Sequence, residues 1–203
     1  MFEMGRGERG EENKELARLT AKFDSGSARP EEVLELAERL LRGKNTKKGE
    51  NVLMQLIAAP ESDEHMIQEA CELLEDVGSY EVALDGYRKI SEMNSRRALP
   101  VYRMGRLLEM QGRIEEAIRL HKQAIALEED NPECYYRLGV AYTKNHQYEE
   151  AETQYGKAIS IDPTHSKSYT NLGYILDLQG KRESAFLQFR KAGNNLLKTI
   201  VMV

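Results

Sequence analysis

The sequence predicts an all-α chain built as a stack of helix pairs. Three observations predict it. Small residues recur in pairs every 34 positions, apolar residues between them keep helical spacing, and turn or breaker residues separate the stretches. The interval is plainest in the stretch from Tyr135 to Ala151. There Gly139 and Ala151 recur as Gly173 and Ala185, 34 residues on. Stepping backward gives Gly105 with Ala117, Cys71 with Ala83 and Ala37 with Gly49. Three residues after each first small residue come Leu40, Leu74, Leu108, Tyr142 and Leu176. Four residues after each second one come Leu53, Tyr87, His121, Tyr155 and Phe189. Five units align without a gap: 30–63, 64–97, 98–131, 132–165 and 166–199.

Composition narrows the class. Of 203 residues, 40% are hydrophobic and 31% charged, which suits a soluble helical protein. No stretch approaches the roughly 20 apolar residues of a membrane helix. The polar, acid-bearing N-terminus does not resemble a secretory signal. Cys71 and Cys134 are too few for a disulfide framework, so a reducing, cytoplasmic setting is expected. A formal charge of -5 argues against bulk attraction to nucleic acid. That charge is uneven. Residues 64–97 carry eight acids and four bases, whereas residues 166–199 carry two acids and six bases.

In chain order, residues 1–10 are expected to form a flexible leader. They contain Gly5-Arg6-Gly7-Glu8-Arg9-Gly10, which spells G-x-G-x-x-G. That motif binds dinucleotides only between a strand and a helix, and four preceding residues cannot make the strand. Residues 11–29 follow as a helix with Leu16, Leu19 and Phe23 on one face, broken at Asp24-Ser25-Gly26-Ser27. This helix is expected to pack on or near the first unit. Each unit then reads as two helices. In the fourth, Tyr135, Leu138 and Tyr142 form one apolar face, and Ala151, Tyr155, Ala158 and Ile159 form the other. Gly78, Gly112 and Gly180 mark the turn between helices in three units, and Lys144-Asn145-His146 marks it in the fourth. Pro30, Pro60, Pro132 and Pro163 lie at or near the unit boundaries. The small residues are expected where two helices cross most closely, each beside a large neighbour. Cys71, in such a place, reads as a packed small hydrophobe rather than a reactive thiol. After the fifth unit, Leu196, Leu197, Ile200, Val201 and Val203 leave an apolar end, where solenoids normally need a polar cap. A longer array, association with another copy or partner, or back-folding would each account for it.

The order aromatic, Leu-Gly, Tyr, Ala, aromatic, Ala and Pro on a 34-residue period resembles the tetratricopeptide repeat. The match is clearest in Tyr135, Leu138, Gly139, Tyr142, Tyr148, Ala151, Tyr155, Ala158 and Pro163, and weakest in the first unit, where Gly49 replaces the usual Ala. The resemblance implies a right-handed α-solenoid of antiparallel helix pairs over residues 30–199. It also implies a concave groove lined by the first helix of each pair, where peptides commonly bind. The groove columns then contain Tyr102, Arg103, Arg106, Tyr136, Arg137, Asn171 and Tyr174, with Lys144 and Lys167 adding positive charge. The N-terminal columns carry Glu35, Glu38, Glu69, Glu72 and Glu75 instead. Glu109, Glu133 and Asp177 lie near the basic columns and could neutralise part of their field. Some relatives hold a chaperone's C-terminal carboxylate with a Lys and Asn clamp. Here only Lys167 matches that clamp clearly, so a chaperone-tail adaptor is not favoured.

No arrangement of residues suggests a reaction. The four histidines show no zinc-ligand spacing, and paired acids such as Glu115-Glu116 and Glu149-Glu150 begin second helices, where they favour the helix dipole. No cofactor and no metal are expected. The expected function is therefore a non-catalytic scaffold that binds an acidic protein segment in the groove. A self-associating assembly module using the solenoid ends is one alternative, and the regulatory arm of a larger enzyme is another.

Overall fold

A computed structural model describes the backbone of residues 6–201 and the side chains of residues 10–194. The side chains of Leu196, Leu197, Ile200, Val201 and Val203, and most of the 1–10 leader, lie outside the described residues. Eleven helices are described: α1 Arg6–Asp24, α2 Pro30–Arg42, α3 Thr46–Ala58, α4 Glu64–Asp76, α5 Tyr80–Met93, α6 Ala98–Met110, α7 Ile114–Leu127, α8 Pro132–Lys144, α9 Tyr148–Ile161, α10 Ser166–Leu178 and α11 Arg182–Val201. No strand occurs among the described residues. They fall into two compact bodies, one ending at Met93 and one starting at Asn94.

In the first body, α2 pairs with α3 and α4 with α5, and α1 packs on α2. The helix α1 starts at Arg6, earlier than the Glu11 expected from its apolar face, so Arg6–Gly10 is helical and not a phosphate-binding turn. Leu19 anchors it, at 1% exposed. Lys22 and Arg18 reach Glu32 in the first turn of α2, at 2.6 and 3.6 Å. The Lys22 hydrogen bond and the Arg29 backbone N–H hold the Glu32 carboxyl at about 2.

In the second body, α6 pairs with α7, α8 with α9 and α10 with α11. First helices also touch one another, α6 with α8 and α8 with α10. Among the described residues, α7 and α9 make no such contact, nor do α9 and α11. This stack therefore curves inward on the α6–α8–α10 side.

Pro30 and Pro132 each open a helix, where a missing N–H costs nothing. The turns inside the pairs share a backbone feature. Positive φ occurs at Lys44, Gly78, Gly112, His146 and Gly180, five positions 34 residues apart. Three are glycine, which enters that region freely, and two carry side chains that fit it less well.

The paired small residues are crossing points. Ala37, Cys71, Ala83, Ala117 and Ala151 are completely buried. A Cβ on Gly139 would lie 2.6 Å from the Tyr155 ring, one on Gly105 2.6 Å from His121, and one on Gly173 2.7 Å from Phe189. Each aromatic ring thus occupies the space its glycine leaves open. Burial pushes the Cys134 thiol up to about 12, which suits an inert core thiol.

Candidate binding face

Side chains of α6, α8 and α10 form a polar, aromatic cluster on the inward side of the second body. Glu133, in the first turn of α8, is its hub. The Arg137 Nε donates to Glu133 Oε1 at 3.1 Å and to the Tyr102 hydroxyl at 3.2 Å. The Tyr102 hydroxyl donates to the same carboxylate oxygen at 3.2 Å. On α10, Ser168 donates its N–H to His165 Nδ1, which leaves Nε2 as the nitrogen that donates to Glu133 Oε2, at 3.2 Å. This bond also caps α10, so the cluster is fixed to a helix end.

Aromatic faces carry the cations. The Arg137 guanidinium stands 5.3 Å from the Tyr136 ring centre and 5.9 Å from that of Tyr102. Lys167 Nζ stands 5.9 Å from the Tyr136 ring. Each distance lies within cation–π range. Burial works against the charge of Glu133, but the His165 hydrogen bond and the charges of Arg137 and Lys167 outweigh it and lower its carboxyl. Burial also opposes the Arg137 charge, and Tyr102 and Glu133 restore it. The Tyr102 phenol is pushed up, chiefly by burial.

The remaining expected groove residues divide. Asn171 is half-buried and donates to the Tyr155 hydroxyl at 3.3 Å, and that hydroxyl also pairs with Thr143 at 3.0 Å. Tyr174, one turn further along α10, is exposed. Lys144 is drawn away from the cluster to Glu109 Oε2, at 3.0 Å. Arg103 and Arg106 stand one turn apart on α6, both half-buried. The structure thus brings Tyr102, Tyr136, Arg137 and Lys167 together, hangs Asn171 and Tyr174 beside them, and commits Lys144 to a different partner.

That partner belongs to a second network. Glu109 is 5% exposed and His121 completely buried, and His121 Nε2 donates to Glu109 Oε1 at 2.7 Å. Burial raises the Glu109 carboxyl, but His121 and Lys144 together lower it further than burial lifts it. His121 was legible as an aromatic packing place, whereas its bond to Glu109 was not. A signal for it existed. The same spacing of 12 residues joins Glu75 to the Tyr87 hydroxyl at 2.7 Å and Thr143 to Tyr155. Where Leu53 takes the aromatic place, Leu41 stands 12 residues earlier. Polar tips are matched with polar partners, and apolar with apolar.

In the first body, several of the acids expected to line the N-terminal columns are locally occupied. Glu35 pairs with Arg39 at 2.8 Å and Glu38 with Arg42 at 3.1 Å, while Glu72 accepts from Gln68. Among the described residues, no group of three or more His, Cys, Asp or Glu could hold a metal ion, and no helix is long and apolar enough to cross a membrane.

Family profiles described as TPR repeat and tetratricopeptide repeat match residues 105–146, 132–165 and 155–185. The chain is a tetratricopeptide-repeat protein. Its all-α fold is the solenoid type of that family. The crystal structure of MamA is 23% identical, covers 81% of this chain and 96% of its own, and superposes with a TM-score of 0.68. YrrB, described as a TPR protein with an unusual peptide-binding site, is 18% identical over 87% of this chain and 91% of its own, with a TM-score of 0.60. The first TPR of Spaghetti (RPAP3), bound to the HSP90 peptide SRMEEVD, is 19% identical over 58% of this chain and 93% of its own, with a TM-score of 0.55. No curated protein matches this tetratricopeptide-repeat chain.

Proposed function

We propose that this tetratricopeptide-repeat protein is a non-catalytic, cytoplasmic adaptor that holds an acidic segment of a partner protein against the α6–α8–α10 face. Its repeat units would be the five of 34 residues between 30 and 199. The observation that carries this reading is the pair of cations, Arg137 and Lys167, held over the half-buried rings of Tyr102 and Tyr136. Glu133 engages the Arg137 Nε, but a guanidinium has five N–H donors, so donors remain for a ligand carboxylate. Tyrosines beside them supply flat apolar area with a polar tip. Two tetratricopeptide structures with this fold, YrrB and the first TPR of Spaghetti (RPAP3), are described with a peptide site or a bound peptide, and that supports a peptide-holding role here.

Arg137 is built into the internal network, so replacing it would disturb Tyr102 and Glu133 as well as any ligand. Lys167 is exposed and Arg103 half-exposed, which makes them the cleaner probes. Partners captured from cell extract would be identified, and the bound segment titrated with the wild type and with Arg103→Glu/Lys167→Glu. The double variant should bind about tenfold or more weakly, and added salt should weaken the wild-type complex. Equal binding by both proteins would refute the α6–α8–α10 assignment.

A further inference from the structure

Two aromatic side chains of α11 stand in packing columns yet face solvent. Phe189 lies 34 residues after Tyr155 and 68 after His121, both completely buried, but is itself 43% exposed. Phe186 lies 68 residues after Ile118, which is 9% exposed, and is itself 65% exposed. The earlier residues owe their burial to the next first helix. Ile118 of α7 packs in one cluster with Leu138, Ala141 and Tyr142 of α8. Tyr155 of α9 shares that cluster with Ile175 of α10, and its hydroxyl accepts from Asn171 of α10. So α8 covers α7, and α10 covers α9. Among the described residues, no helix covers α11 in the same way. Gly193, one turn beyond Phe189, adds a bare patch: a Cβ there would meet nothing within 4 Å.

The surroundings state what would fit. A helix covers this surface at both earlier joints, and the exposed pair Phe186 and Phe189 demands an apolar stripe on it. Lys181, Arg182, Arg190 and Lys191 outnumber Asp177 and Glu183 around the patch, so its flanks should be acidic. The chain contains a helix of this kind. In α4, Ile67, Ala70, Cys71 and Leu74 are completely buried at i, i+3, i+4 and i+7, while its polar positions carry five acids and no Lys or Arg.

We propose that the exposed face of α11 is a docking surface for an acidic amphipathic helix of a partner protein, seated as α8 is seated on α7. A fluorescein-labelled peptide of residues 63–77, with Cys71→Ala, serves as the probe, titrated against the full chain by fluorescence anisotropy. Saturable binding is expected, weakening as salt is raised. Phe186→Glu should weaken it by about tenfold or more, because a buried aromatic anchor dominates such contacts. Phe186 is the most exposed of the aromatic pair, so this variant should keep the wild-type circular dichroism. Arg190→Glu/Lys191→Glu should weaken binding without touching the apolar stripe, and Lys167→Glu should leave it unchanged, which separates this surface from the α6–α8–α10 face. Absence of binding by the wild type, or equal binding by Phe186→Glu, would overturn the proposal. So would sedimentation velocity showing a wild-type dimer and a Phe186→Glu monomer, since the occupant would then be a second copy of the chain.

Discussion

Gly139 and Gly156 lie on adjacent helices of one pair and face opposite circumstances. An alanine Cβ at 139 would stand 2.6 Å from Tyr155 Cε1 and 2.8 Å from Cδ1. Unstrained carbon contacts lie at about 3.5–4.0 Å, so ring and helix must separate by about 1 Å. The ring cannot retreat freely, because it is completely buried and its hydroxyl is held by Thr143 and Asn171. Overpacking of this kind costs about 1–3 kcal/mol. At 156, a Cβ meets nothing within 4 Å. Both substitutions gain the helix preference of alanine over glycine, about 0.8–1.0 kcal/mol. That gain cancels in the comparison, and the difference between the two variants isolates the clash. Gly156→Ala should stabilise the protein by about 0.5–1 kcal/mol, and Gly139→Ala should fall below it by about 1–3 kcal/mol. Urea unfolding followed by circular dichroism reads both. Equal stability of the two variants would refute the idea that Tyr155 fills the space Gly139 leaves.

Two further outcomes follow from buried charge and backbone strain. Glu109→Gln should lower stability at pH 7 by about 1–3 kcal/mol, since it weakens charged hydrogen bonds inside the core. The folded Glu109 carboxyl lies below its usual value. Its contribution is therefore present above the unfolded value of about 4.3 and disappears as pH falls through the lower folded value. The deficit of the variant should shrink below about pH 4, and a deficit constant from pH 7 to 3 would contradict this. Lys44→Gly should stabilise the protein by a few tenths to about 1 kcal/mol, because the positive φ at 44 strains a side chain more than glycine's added chain entropy costs. A lower unfolding midpoint would argue against strain at that turn.

Much of the helix packing was legible because repetition multiplies a weak signal. A single Gly139 says little, but Gly105, Gly139 and Gly173, each followed 16 residues later by a ring, describe a shape. The turns were legible at the glycines and less so at Lys44 and His146, where the same φ is adopted by residues that do not advertise it. On the candidate face, the sequence marked the cations and tyrosines, and placed Glu133 near them. It did not reveal that Glu133 gathers Tyr102, Arg137 and His165 at once, because that depends on rotamers and on contacts between helices more than 30 residues apart. Lys144 shows the same limit. Its column predicted a groove cation, and the buried Glu109 claimed it. The early start of α1 was hidden because polar residues precede its apolar face.

The Tyr155 hydroxyl, shared between Thr143 of α8 and Asn171 of α10, bears on how such a chain can be rearranged. Repeats invite the view that units are interchangeable bricks. At this joint the mortar is part of the brick: one phenol completes its own pair and also addresses the pair that follows. A unit lifted out with Tyr155 but without Asn171 would carry an unanswered hydroxyl, and one supplied with a phenylalanine at that place would leave the following asparagine unmatched. The smallest piece that can be shuffled, duplicated or grafted here is the joint spanning α8 to α10, and a duplication or deletion respecting that joint would preserve the bond while one cutting between α9 and α10 would not.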